Sequence, residues 1–152
     1  HFIFRTSWVF GPFGHNFLKT MMRLGQEREN LSVVSDQKGA PTYSIELAKN
    51  LIRILETVDI QSQRNWGVYN LCGRDNVSWH EFSQKIFTVA KQLSVPLKVQ
   101  HLNAITTAQY PTPAQRPMNS QLSLTKIKSL VPLEFQSLND NIEDSLRRIY
   151  GS

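Results

Sequence analysis

Cysteine is almost absent. Cys72 is the only one in 152 residues, so no internal disulfide framework can form, and no C-x-x-C or H-x-E spacing offers the pattern of a metal cage. The four histidines stand apart at positions 1, 15, 80 and 101. These absences fit a reducing, cytoplasmic setting. No apolar run approaches the roughly 20 residues of a membrane span, and no basic stretch precedes a short apolar one as in a signal peptide. Lys and Arg outnumber Asp and Glu by 17 to 12, a net charge of +5, but they are scattered as singles and pairs such as Arg147 and Arg148. The charge reads either as a solvated basic face or as attraction for a small anionic ligand. No helix-turn-helix, zinc-finger or aromatic ribonucleoprotein pattern points to nucleic acid. Internal repeats and low-complexity tracts are missing as well.

What is present is ordinary globular material: 40% hydrophobic residues, 19% charged, 7 Gly and 7 Pro. The length suits one domain, which would bury roughly 70% of its unfolded surface. The chain opens on His1-Phe-Ile-Phe-Arg-Thr-Ser-Trp-Val-Phe10, an apolar, strand-like segment that wants neighbours on both edges and both faces. That opening predicts a fragment whose N-terminal part is missing.

The Gly11 to Gly14 turn leads into a predicted helix from Asn16 to Glu29, with Asn16 as N-cap and Phe17, Met21 and Leu24 on one face. Leu31 to Ser35 reads as a strand, and 36–41 as a polar loop. A helix is expected from about Thr42 to Val58, with Ile45, Ala48, Ile52 and Leu55 on its buried stripe. Gly67 to Cys72 reads as a strand. Ser78-Trp-His-Glu81 is a capping box, opening a helix whose stripe is Trp79, Phe82, Ile86, Ala90 and Leu93. Leu97 to Leu102 alternates like a half-buried strand, Ile105 to Gln109 suggests a helical turn, and Tyr110-Pro-Thr-Pro113 forces an extended path. Short helices near Ser123 and Ser137 complete the chain. Strands alternating with helices place it in the α/β class.

Five segments, read in order, carry a resemblance. They are Arg5-Thr-Ser-Trp-Val-Phe-Gly11, Asn16-Phe-Leu-Lys-Thr-Met-Met-Arg-Leu24, Asp36-Gln-Lys-Gly-Ala-Pro-Thr42, Ser78-Trp-His-Glu-Phe82 and Tyr110-Pro-Thr-Pro-Ala-Gln-Arg-Pro-Met-Asn-Ser120. Together they resemble the C-terminal half of the bacterial dTDP-4-dehydrorhamnose reductases, which are extended short-chain dehydrogenases/reductases. The resemblance implies a Rossmann-like architecture, with 1–12 and 44–72 mainly in the Rossmann-type portion. It assigns 13–43 and 73–152 mainly to a substrate-binding lobe, and leaves the N-terminal cofactor-binding part absent.

Two family hallmarks do not occur in this chain. Gly11 and Gly14 are followed by Phe17, so the glycine fingerprint that lets a backbone turn approach a pyrophosphate is missing. The family's proton donor is a Tyr with a Lys four residues on. Here that position holds Leu47 after Tyr43, Gly73 after Tyr69 and Ala114 after Tyr110, while Tyr150 lies two residues from the end. The resemblance therefore puts the catalytic pair upstream of His1, and the chain alone is expected to be inactive with no bound NADPH or NADH.

Trp8 stands at the end of the first strand, where open α/β sheets bind ligands. The resemblance implies that it touches the deoxysugar; a packing tryptophan is the alternative. Thr6 and Ser7 could line the nicotinamide side of that cleft or simply bond the strand end. Asn16 is either a helix cap or a diphosphate contact. Arg116, between Pro113 and Pro117, suits a forked contact to a nucleotide diphosphate, against a plain salt bridge. The 37–42 loop could close on the ligand. Some family members bind Mg²⁺ at a dimer contact through a Glu three positions after the Thr matching Thr42. Here that position is Ile45, with Glu46 one place late, which puts the metal and that homodimer in question. Trp66, Trp79 and Cys72 read as structural. The implied parent reduces dTDP-4-dehydro-L-rhamnose with NADPH or NADH, with the missing N-terminal half and the dTDP-sugar as partners. The alternative is a non-catalytic regulatory subunit resembling the methionine adenosyltransferase β subunit.

Overall fold

The computed structural model describes residues 1–59, 61–113 and 116–151. Two cores organise them. The first strand, β1 (Phe2–Arg5), breaks after four residues and resumes as β2 (Val9–Phe10). After α1 (Phe17–Glu27) come β3 (Asn30–Val34), β4 (Lys38–Gly39) and β5 (Thr42–Tyr43), then α2 (Ser44–Thr57) and β6 (Gly67–Asn70). The chain continues through β7 (Val77–Ser78), α3 (Trp79–Gln92) and β8 (His101–Ile105) to α4 (Thr125–Leu130) and α5 (Leu138–Tyr150). The strands pair two by two. β1 with β6, β2 with β5 and β3 with β8 are parallel, and β4 with β7 is antiparallel.

The interruption of the first strand lies at Trp8, whose φ of 46° is left-handed. Such a backbone is uncommon for a residue with a bulky side chain and marks a turn or a functional constraint. It lets β1 run beside β6 while β2 turns to pair with β5.

α2 begins two residues later than its sequence suggests, because Thr42 and Tyr43 are used as β5. Its burial also differs from the expected stripe. Ile52 and Leu55 are 56% and 59% exposed, whereas Ile54 is buried and Leu47 and Leu51 pack against the same core. The helix carries two apolar stripes, 45/48/52/55 and 47/51/54/58, and periodicity cannot say which one faces the β1–β6 pair. The Leu97 to Leu102 strand is likewise displaced, to 101–105. Residues 98–101 give their N–H groups to the carbonyls of Gly25 and Glu29 at the end of α1, at 2.8–3.0 Å, so pairing with β3 starts only at His101.

The larger core is built from α1, α3 and α5 around Phe10, Leu18, Phe82, Ile86, Ile142 and Leu146. The expected capping box of Ser78 with Glu81 is formed, and α5 opens on a second one, Ser137 with Asp140. The second core holds Ile54, Tyr69, Leu71, Ile127 and Val131, with Phe2 and Phe4 against it. Residues 124–135, from the stretch that the resemblance assigns mainly to the substrate lobe, thus pack beside β1 and β6. On the opposite face of that pair Ile3 and Val68 stay exposed.

Glu46 is the buried charge that ties α2 to the approach of α5. Its Oε1 accepts from the Gln136 N–H at 2.6 Å, and the nearby Asn141 side chain also favours its charged form. Burial pushes its carboxyl above the usual range, against the opposing pull of those bonds and of Arg74. A folded-state value raised in this way means that Glu46 supports the fold fully at low pH and loses that support as pH rises through the raised value. Glu46→Gln, which keeps an acceptor and removes the charge, should therefore gain stability relative to the parent chain between pH 4 and pH 7. Urea midpoints at the two pH values measure this, and a stability difference that does not change with pH contradicts it.

Candidate functional site

Between α1, β3 and the start of α3 lies a cleft of about 560 Å³, within the usual range for small-molecule sites. Helical spacing puts Phe17, Met21 and Leu24 of α1 along one wall, and Ser32, Val33 and Val34 of β3 form the other. Trp79, the first residue of α3, closes the inner end. The rim is polar, with Thr20, Gln37, Tyr110, Thr112 and Arg116. An apolar floor with a polar, cationic rim suits a flat ring joined to an anionic group.

Trp79 lies between two aromatic rings. Trp8 stacks on it with centroids 3.4 Å apart and planes at 8°, and Phe17 approaches at 4.5 Å. Gly39 makes this possible, since a Cβ there would collide with the Trp8 indole. The structural reading of Trp79 is therefore incomplete: it packs, and it also lines the cleft. Trp66 is 45% exposed and stacks on His1 with ring centroids 6.5 Å apart. Cys72 is buried, and burial raises its thiol pKa.

The remaining expected residues are distributed unevenly. Arg116 is on the cleft rim, exposed, and has no hydrogen bond or ion pair among the described residues. Its neighbours Ala114 and Gln115, which belong to the Tyr110 to Ser120 segment of the resemblance, lie outside the described residues. Asn16 caps α1, accepting from the Lys19 N–H at 3.2 Å. Its amide gives both hydrogens away, to Gly11 O at 2.8 Å and Phe13 O at 3.3 Å. Thr6 is exposed at the end of β1, and Ser7 donates to Ala40 O at 3.1 Å. With Trp8 they sit where β1 and β6 both end, joined by Leu71 N–H to Arg5 O at 2.8 Å.

Among the tyrosines, Tyr43 donates to Asp144 Oδ2, the same oxygen that Arg148 Nε holds at 3.0 Å. Burial and the neighbouring carboxylate push the Tyr43 hydroxyl pKa well up, away from the range of a proton donor at neutral pH. The Tyr69 hydroxyl donates to Asn65 O at 2.7 Å. Neither stands in the cleft. The point matching the Mg²⁺ site of some family members does not fit a metal: Ile45 has no donor, and Glu46 Oε1 already accepts from the Gln136 N–H.

Comparison with known proteins gives this arrangement a family. The model of the RmlD substrate binding domain matches residues 1–150. The dTDP-4-dehydrorhamnose reductase of Aggregatibacter actinomycetemcomitans is 46% identical over 143 residues, covering 92% of this chain and 49% of that protein. That of Escherichia coli K12 is 38% identical over 154 residues, covering 99% of this chain and 50% of that protein. The crystal structure of dTDP-4-dehydrorhamnose reductase from Bacillus anthracis in complex with NADP superposes with a TM-score of 0.81 at 34% identity, covering 95% of this chain and 47% of that one. These relatives bear the name of the reductase, not that of the regulatory subunit, and the chain spans about half their length. The chain belongs to the RmlD substrate binding domain family, with the Rossmann-like fold of the extended short-chain dehydrogenases/reductases.

Proposed function

We propose that this chain is the sugar-nucleotide side of a cytoplasmic reductase that converts dTDP-4-dehydro-L-rhamnose to dTDP-L-rhamnose with NADPH or NADH. The observation that carries the reading is the cleft itself, an apolar floor with the uncommitted guanidinium of Arg116 at its rim. A pyrimidine ring fits against Phe17, Met21 and Trp79, and the forked guanidinium matches paired phosphate oxygens. Trp8, partly open at the end of β1, is the contact to the deoxysugar, with Trp79 behind it. Asn16 holds the α1 turn instead of the diphosphate, because both of its amide hydrogens are spent. Thr6 and Ser7 face the nicotinamide side.

The reduction needs a hydride donor, which the nicotinamide cofactor supplies, and an acid for the developing alkoxide. The acid is a Tyr with its Lys in the half of the relatives that this chain does not span, and no step is assigned to a tyrosine here. What this chain contributes is binding and orientation, which bring the carbonyl to the reacting groups. No helix of the described residues is long and apolar enough to cross a membrane.

Half a cleft leaves the ligand partly hydrated, so the chain alone should bind dTDP weakly. Titration with dTDP followed by NMR should shift the Trp79 indole N–H and the amides of Thr20 and Val34 in a saturable way. Shifts confined to residues outside the cleft would contradict the assignment.

A further inference from the structure

Resting on the reading of Trp8 as the contact to the deoxysugar, we propose that Gly39 is a positioning residue for that end of the site: the space left by its missing side chain seats the Trp8 indole flat against Trp79, and this seat fixes the surface that Trp8 offers the sugar. Gly39 is the second residue of β4 and stands opposite Val77 in the antiparallel pair with β7, two residues before Trp79. It is buried and does not line the cleft. A Cβ at this position would come within 2.7 Å of Trp8 Cζ2, and closer still to Cε2. Both atoms belong to a rigid indole that moves only as a whole. Ser120 Oγ, also at 2.7 Å, is a single hydroxyl that can rotate aside.

The backbone at Gly39 does not ask for glycine. Its φ lies outside the left-handed region, in a strand that residues with side chains readily form, so the indole is what excludes a side chain. Trp8 is the reverse case, a bulky residue on a left-handed backbone with φ of 46°, which L-residues disfavour. The main chain there is tied down on both sides. The Ser7 hydroxyl donates to Ala40 O at 3.1 Å, and the Thr42 N–H donates to Trp8 O at 3.1 Å. The ring is then placed by its stack on Trp79, 3.4 Å between centroids and 8° between planes, with Phe17 behind Trp79 at 4.5 Å. Trp79 lines the cleft and Trp8 does not, so the stack leads from the pyrimidine end of the site to the end of β1. A ring already held by its neighbours loses little freedom when a sugar packs on it.

The test uses the chain with dTDP and dTDP-L-rhamnose as probes, NMR titration for affinities, and NOEs between the Trp8 and Trp79 rings for the stack. Gly39→Ala should abolish those NOEs, leave dTDP affinity within about twofold, and lower the affinity for dTDP-L-rhamnose relative to dTDP by about threefold or more, as Trp8→Ala does. In the Trp8→Ala background, Gly39→Ala should have no further effect on that ratio, because the new Cβ meets no indole and effects through a shared partner do not add. Losses of both affinities that persist in that background would overturn the proposal. If Trp8→Ala lowers the ratio and a folded Gly39→Ala does not, the seat is wrong while the reading of Trp8 stands. If Trp8→Ala leaves the ratio unchanged, that reading fails and the proposal falls with it. Should Gly39→Ala alone not fold, the double variant decides: folding restored by removing the indole supports the seat, and a double variant that also fails to fold overturns it.

Discussion

Phe82→Ala should cost about 3–5 kcal/mol of folding stability, the range for a fully buried aromatic truncated in a core. Phe82 is 0% exposed and sits where the core meets the cleft. Its ring meets Phe10 edge-on at 5.1 Å and lies along Phe17 at 5.4 Å, and Phe17 in turn supports Trp79. Removing it leaves a cavity beneath the cleft floor. For a chain of this size the loss corresponds to a fall in Tm of roughly 6–20 °C, out of a total stability of about 5–15 kcal/mol. Phe82→Leu, closer in volume, should cost less than about 1.5 kcal/mol. Thermal denaturation of both variants measures this, and a Phe82→Ala variant within about 1 kcal/mol of the parent chain would contradict the packing described.

The second large effect belongs to Arg116. In a protein that joins this chain to the N-terminal half of the Aggregatibacter relative, Arg116→Ala should weaken dTDP-sugar binding by about 1.5–3 kcal/mol, the range for a hydrogen bond to a charged group. Cofactor affinity should change little, because Arg116 faces the cleft between α1 and β3 and not the ends of β1 and β6. Arg116→Lys keeps the charge and loses the fork, so it should recover only part of the loss. Calorimetric titration of the folded variants checks this, and an unchanged dissociation constant for the dTDP-sugar would remove Arg116 from the site.

Local chemistry was legible where one residue decides it. The Ser78 cap, the Asn16 cap and the stripe of α3 all follow from spacing that few other structures satisfy. α2 was misread because it has two apolar stripes, and the choice between them is made by the β1–β6 pair. β8 starts late because Gly25 and Glu29 offer carbonyls to residues 98–101, a contact between segments about 70 residues apart. At the site, Arg116 stood out by its proline frame. Trp79 did not, since a helix stripe explains a tryptophan as well as a cleft does. Only its stacking on Trp8, held by the left-handed turn and by Gly39, reveals its second face.

On the proposed function this chain supplies the sugar-nucleotide side of a reductase, with Thr6 and Ser7 toward the nicotinamide, and not the catalytic acid. Oxidation of NADPH in the presence of dTDP-4-dehydro-L-rhamnose, followed by absorbance, tests it most directly on three samples: this chain, the N-terminal half of the Aggregatibacter relative, and the two joined. The joined protein should turn over, and neither part alone should. Turnover by the purified 152-residue chain alone, or none by a folded joined protein, would contradict it.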